Sequence, residues 1–87
     1  MPQRILVVDD DPSLVKILRG YLEQAGCQVS EAGDGEAALA SVRRERPDLL
    51  VLDLMLPGLG GFELTRILRA SPGLESLPVV MLTARLD

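Results

Sequence analysis

Residues 5–18, "ILVVDDDPSLVKIL", run four aliphatic residues directly into three consecutive aspartates and a proline. An aliphatic run without polar alternation is typical of a strand that is covered on both faces of a parallel sheet. Asp11 and Pro12 are residue types that cap and begin a helix, so this stretch predicts a strand followed at once by a helix. Because adjacent carboxylates repel one another, we also expect a positive group at the end of the strand.

The order of strand then helix recurs along the 87 residues. Short apolar runs predict four strands, and amphipathic stretches between them predict three helices. This alternation implies right-handed crossovers and an open, doubly wound parallel α/β sheet with helices on both faces, within a single domain. The predicted strands are residues 4–8, 27–32, 48–54 and 78–84, and the predicted helices end at Gly26, at Pro47 and at residues 71–73.

The composition predicts an aliphatic core, because 47% of the residues are hydrophobic and only 2% are aromatic. Helical spacing groups Tyr21 with the inward positions of the first helix, and it groups Phe62 with Leu64, Ile67 and Leu68 in the third helix. We therefore expect Tyr21 and Phe62 to be the aromatic members of the core. The other inward positions predicted for the first helix are Leu14, Val15, Leu18, Leu22 and Ala25.

The chain is acidic, with 13 Asp and Glu residues against 9 Lys and Arg residues. This balance, without a basic run, argues against direct binding of nucleic acid or of an anionic membrane surface by this segment. Its apolar runs are too short to span a bilayer, and its first residues lack the features of a signal peptide. The single cysteine, Cys27, cannot form an intramolecular disulfide, and we expect a cytoplasmic protein.

Oxygen-bearing side chains stand at the ends of three predicted strands: Asp9 and Asp10 after the first, Asp53 at the third and Thr83 at the fourth. Ligand sites of open α/β sheets lie beyond the carboxyl ends of the strands, so these side chains should converge on one pocket. An oxygen-only donor set suits Mg²⁺, which also favours phosphate oxygens. Because the chain has no histidine and Cys27 lies on the second strand, Asp53 is the candidate nucleophile, forming an acyl phosphate.

The motifs "ILVVDDD", "DLLVLDLMLPGLGGFEL" and "PVVMLTA", in this order and spacing, resemble the receiver domain of two-component response regulators. The resemblance covers nearly the whole chain and implies a flavodoxin-like fold that takes a phosphoryl group from a histidine kinase or a phosphotransfer protein. It implies that Asp53 is the phosphoacceptor and that Thr83 is the switch hydroxyl. It also implies a Mg²⁺ site formed by Asp10 and Asp53 directly, by Asp9 through water, and by the backbone carbonyl of Met55.

The chain departs from the family pattern at its end, since receivers continue into a fifth strand that carries a lysine and then into a fifth helix. Lys16 is expected to point to water from the first helix and cannot replace that lysine. We therefore expect residues 1–87 to form a partial receiver domain with strand order 2-1-3-4 and impaired phosphotransfer. We also expect self-association through the edge of the fourth strand or through the first helix.

Two other functions remain open at this point. A phosphatase with an aspartate nucleophile would carry a D-x-D-x-T pattern after the first strand, which "DDDPS" at residues 9–13 does not match. A metal-binding or self-associating structural fragment would have no phosphotransfer activity. On the receiver interpretation, the chain is a phosphoacceptor that at most catalyses its own phosphorylation and dephosphorylation.

Overall fold

The computed structural model describes residues 2–53, 56 and 58–82, which form one parallel sheet flanked by helices. Its strands have the order β2-β1-β3-β4, and every neighbouring pair is parallel, as predicted. No helix in these residues is long and apolar enough to cross a membrane. The elements are β1 (Arg4–Val8), α1 (Pro12–Gln24), β2 (Gln28–Ala32), α2 (Gly35–Glu45), β3 (Leu49–Asp53), α3 (Gly61–Arg69) and β4 (Val79–Leu82).

The sheet separates two aliphatic clusters, one on each face. Alternate side chains of a strand point to opposite faces, so Leu6 and Val8 belong to one cluster and Ile5 and Val7 to the other. The first cluster packs under α2 and α3, and the second packs under α1, where Val15 is buried. This arrangement confirms the doubly wound α/β fold expected from the continuous apolar runs.

The starts of α1 and α2 follow the predicted capping chemistry. Asp11 Oδ1 accepts the backbone N–H of Ser13 at 3.0 Å, and Asp34 Oδ1 accepts that of Ala37 at 2.8 Å. Each bond satisfies a donor that has no partner within its helix, which stabilises the helix start. The side chain of Asp11 is thereby committed to α1.

The prediction that the two aromatic side chains lie in the core is wrong. Tyr21 is 70% exposed and Phe62 is 65% exposed. Residues two apart on a helix point about 200° apart, so Phe62 lies opposite Leu64, which is fully buried with Leu68 one turn further along. On α1 the inward arc is narrow, with Val15 buried and Leu18 and Leu22 packed against its cluster, which leaves Tyr21 and Leu14 outside it. Ala25 is also exposed.

Candidate functional site

Three carboxylates meet at the carboxyl ends of the two central strands. Asp9 and Asp10 directly follow β1, and Asp53 is the last residue of β3. The register pairs Val8 with Leu52, so Asp9 and Asp53, which follow them in the sequence, lie side by side. One carboxylate oxygen from each of Asp9, Asp10 and Asp53 lies within 4.8 Å of the others. The convergence predicted from the strand ends is therefore present for these side chains.

Asp9 is the carboxylate most affected by its surroundings, since it is only 4% exposed. Burial raises the pKa of its carboxyl above the ordinary value, because the charged form loses water. Its Oδ1 accepts the backbone N–H of Asp11 at 2.8 Å, and this bond acts in the opposite direction. The negative charges of Asp53 and Asp10 raise the pKa further. In this cluster the ionised Asp9 carboxylate is therefore unfavourable without a nearby cation.

The raised pKa of Asp9 predicts that Asp9→Asn stabilises the metal-free protein at neutral pH. The folded protein binds the Asp9 proton more tightly than the unfolded chain, so this group lowers stability as the pH rises from 3.8 through its folded pKa. The amide removes that penalty, and its oxygen can still accept the Asp11 N–H. Urea unfolding in the presence of a chelator should give Asp9→Asn a higher free energy of unfolding than the parent at pH 7, and this difference should disappear below pH 3.8. A variant less stable than the parent at pH 7 would contradict this assignment.

A cavity of about 280 Å³ opens beside the carboxylates, between the turn that follows β1 and the turn that follows β2. Asp9 and Asp10 line it on one side and Glu31 on the other. Arg19 of α1 holds Glu31, with Nη1 at 2.6 Å from Oε2. Glu31 was not predictable as a neighbour of the site, because only the pairing of β1 with β2 in the folded sheet brings it there.

The structure describes only some of the other site residues considered in the sequence. Asp11 caps α1 with its side chain, as expected, and Lys16 is exposed on that helix. Met55 and Thr83 lie outside the described residues. Leu82, the residue before Thr83 in the sequence, pairs with Asp53. The roles of Met55 and Thr83 therefore stay predictions.

Comparison with known proteins gives matches along the whole chain. The family model of the response regulator receiver domain matches residues 5–87. The chain is 54% identical over 87 residues to the DNA-binding response regulator MtrA of Mycolicibacterium smegmatis, covering 100% of this chain and 37% of that relative. The chain thus spans little more than a third of the length of this relative.

Solved structures are also similar to this fold. A putative response regulator from Chloroflexus aurantiacus superposes with a TM-score of 0.95 at 39% identity, over 100% of this chain and 71% of that one. The receiver domain of a sensor histidine kinase from Pseudomonas aeruginosa, solved with a magnesium ion coordinated in its active site cleft, has a TM-score of 0.91 at 34% identity. That match covers 98% of this chain and 70% of the other.

Proposed function

Because the chain belongs to the response regulator receiver domain family, we propose that it accepts a phosphoryl group on Asp53 from a histidine kinase or a phosphotransfer protein. The observation that carries this proposal is the cluster of Asp9, Asp10 and Asp53, whose oxygens lie within 4.8 Å of one another. Asp53 ends a central strand, so its carboxylate is held at the edge of the sheet where ligands of open α/β folds bind.

The donor set of this cluster fits Mg²⁺. All its donors are carboxylate oxygens, the ligands that this hard cation prefers. The burial of Asp9 and the repulsion from its neighbours also favour a bound cation. In our proposal Asp10 and Asp53 bind the ion directly, Asp9 binds through water, and the carbonyl of Met55, outside the described residues, completes the protein ligands. The related Pseudomonas aeruginosa receiver domain was solved with a magnesium ion in its active site cleft, which supports the choice of Mg²⁺ as the cation.

When bound, Mg²⁺ would supply positive charge against the phosphoryl oxygens. In the transfer step a carboxylate oxygen of Asp53 attacks phosphorus, and the new O–P bond forms as the P–N bond to the donor histidine breaks. The electron pair of the broken bond stays on the histidine nitrogen. Thr83, outside the described residues, would donate its hydroxyl to a phosphoryl oxygen. The chain then acts as phosphoacceptor and at most catalyses its own phosphorylation and dephosphorylation.

A small-molecule phosphodonor tests this function without a cognate kinase. The protein is incubated with acetyl phosphate and Mg²⁺, and the acyl phosphate is trapped by borohydride reduction and mapped by peptide mass spectrometry. We expect one modified residue, Asp53. Modification at another residue would contradict the proposal, whereas a low yield on Asp53 agrees with the impaired phosphotransfer expected from the sequence. We expect no direct contact with nucleic acid from this segment, because its net charge is −4.

Two adjacent aspartates give a matched test of the metal site. We expect Asp10→Ala to weaken Mg²⁺ binding at least about tenfold, because it removes a direct ligand. Asp11→Ala removes the same charge from the next residue, but its side chain caps α1. We expect this variant to keep Mg²⁺ affinity within about twofold and to lose about 0.5–2 kcal/mol of stability. Calorimetric titration with Mg²⁺ decides, and the reverse order of affinities would show that Asp11 is the ligand.

A further inference from the structure

Glu31 of β2 shares a cavity with two members of the carboxylate cluster. The backbone N–H of Asp9 donates to the carbonyl oxygen of Ala32 at 3.2 Å, so the end of β2 is bonded directly to the start of the site. Glu31 precedes Ala32 and lines the cavity of about 280 Å³ together with Asp9 and Asp10. A further negative charge therefore borders the space beside these two carboxylates.

Apolar groups form much of the remaining wall of this cavity, among them Pro12, Val15 and Ala32. A cleft that combines charges of one sign with low-dielectric walls concentrates the electric field and attracts counter-ions. At physiological ionic strength charges are screened over a distance of ~8 Å, which is comparable to the width of a cavity of this volume. Glu31 can therefore attract a cation at the cluster through space, without coordinating it.

Arg19 of α1 controls how much of this charge acts on the cavity. Its Nη1 lies 2.6 Å from Oε2 of Glu31, and its Nε lies 3.0 Å from Oε2 of Glu23. The side chains of Arg19, Glu31 and Glu23 are 40%, 43% and 48% exposed, so the ion pairs themselves add little to stability. The guanidinium is always positive, and it therefore cancels part of the field of Glu31.

We propose that Arg19 and Glu31 together adjust the cation affinity of the carboxylate cluster, Glu31 by attracting the cation through the cavity and Arg19 by moderating that attraction. This inference rests on the proposed function, since it concerns the same Mg²⁺ site. Replacing either residue breaks the same ion pair, so a purely structural role would change Mg²⁺ binding in the same direction for both. Charge acting through space gives opposite directions.

Calorimetric titration with Mg²⁺ in low salt tests this role. We expect Glu31→Gln to weaken binding about threefold and Arg19→Gln to tighten it about twofold, because a charge of opposite sign is lost in each. Arg19→Lys keeps the charge and should bind like the parent.

Glu23→Gln is the matched control, since it takes the same charge from the same arginine. Among the described residues, Glu23 is not one of those that line the cavity, and it lies one turn further along α1. We expect its affinity to stay within about 1.3-fold of the parent, because the greater distance brings greater screening. An effect as large as that of Glu31→Gln would show that the net charge of the chain, and not the cavity, sets the affinity.

High salt separates action through space from direct coordination. In about 1 M KCl the screening length falls to ~3 Å, and the affinities of Glu31→Gln and Arg19→Gln should converge on that of the parent. A loss of about tenfold or more in Glu31→Gln that persists in this salt would make Glu31 a ligand and overturn the proposal. Weaker binding in both variants would overturn it as well.

The outcome for the parent distinguishes this role from the proposed function. A parent that binds no Mg²⁺ contradicts the metal site and this role with it, whereas a parent that binds Mg²⁺ with the same affinity as both variants overturns this role alone. Calorimetry needs no phosphodonor, so the result holds whether or not Asp53 is the phosphoacceptor.

Discussion

Asp53→Asn is expected to reduce phosphoryl acceptance from acetyl phosphate to below detection. The amide keeps the size of the side chain but has no anionic oxygen to attack phosphorus. It also removes one of the clustered carboxylates proposed to hold Mg²⁺. Both effects act on the transfer itself, so we expect the labelling to be lost even though the variant stays folded. Borohydride trapping followed by peptide mass spectrometry measures it.

Asp11→Asn is the matched control for this experiment. It removes one negative charge close to the cluster, and asparagine remains a good helix cap, so α1 should be unaffected. We expect this variant to retain label on Asp53. Label that persists in Asp53→Asn would instead show that another residue is the acceptor.

Leu64→Ala is expected to have the largest effect on stability, a loss of about 2–5 kcal/mol. Leu64 is fully buried in the cluster under α2 and α3, so truncation leaves an apolar cavity. Domains of this kind have about 5–15 kcal/mol of stability in total, so this loss would unfold a large fraction of the protein on mild heating. Urea unfolding monitored by circular dichroism gives the free-energy change.

Phe62→Ala provides the comparison on the same helix. Phe62 is the larger side chain, but it is 65% exposed, and we expect its removal to cost no more than about 0.5 kcal/mol. Equal losses for Phe62→Ala and Leu64→Ala would mean that the inward face of α3 is wrongly assigned.

The strands and the carboxylate cluster were predictable from the sequence because both depend on local signals. The runs "ILVV" at residues 5–8 and "LLVL" at residues 49–52 have no polar interruption, which indicates burial on both faces. Once the sheet is parallel, the carboxyl ends of its strands must share an edge, and this brings Asp9, Asp10 and Asp53 together. The match to the receiver family favours phosphoryl acceptance over the structural alternative.

The inward faces of the helices were less predictable. In α1, apolar residues recur as the pairs 14–15, 17–18 and 21–22, so the apolar arc is wider than the arc that the sheet buries, and Tyr21 lies outside the buried part. Contacts between residues far apart in the sequence could not be predicted from local sequence patterns either. The approach of Leu59 to Gly35 and the ion pair of Arg19 with Glu31 both depend on the folded arrangement. Self-association through β4 stays a prediction.

The position of β1 and β3 in the middle of the sheet has a consequence for ligand binding. Each is paired with strands on both sides, and Val8 and Leu52, the residues before Asp9 and Asp53, are fully buried. The backbone of Asp9 and Asp53 is therefore held in place by pairing with neighbouring strands, so these two carboxylates can move apart only by rotation of their side chains. An arriving cation meets a preorganised set of ligands, and little conformational entropy is lost on binding. The rigidity that makes the free site electrostatically unfavourable is thus the same property that favours its occupied form.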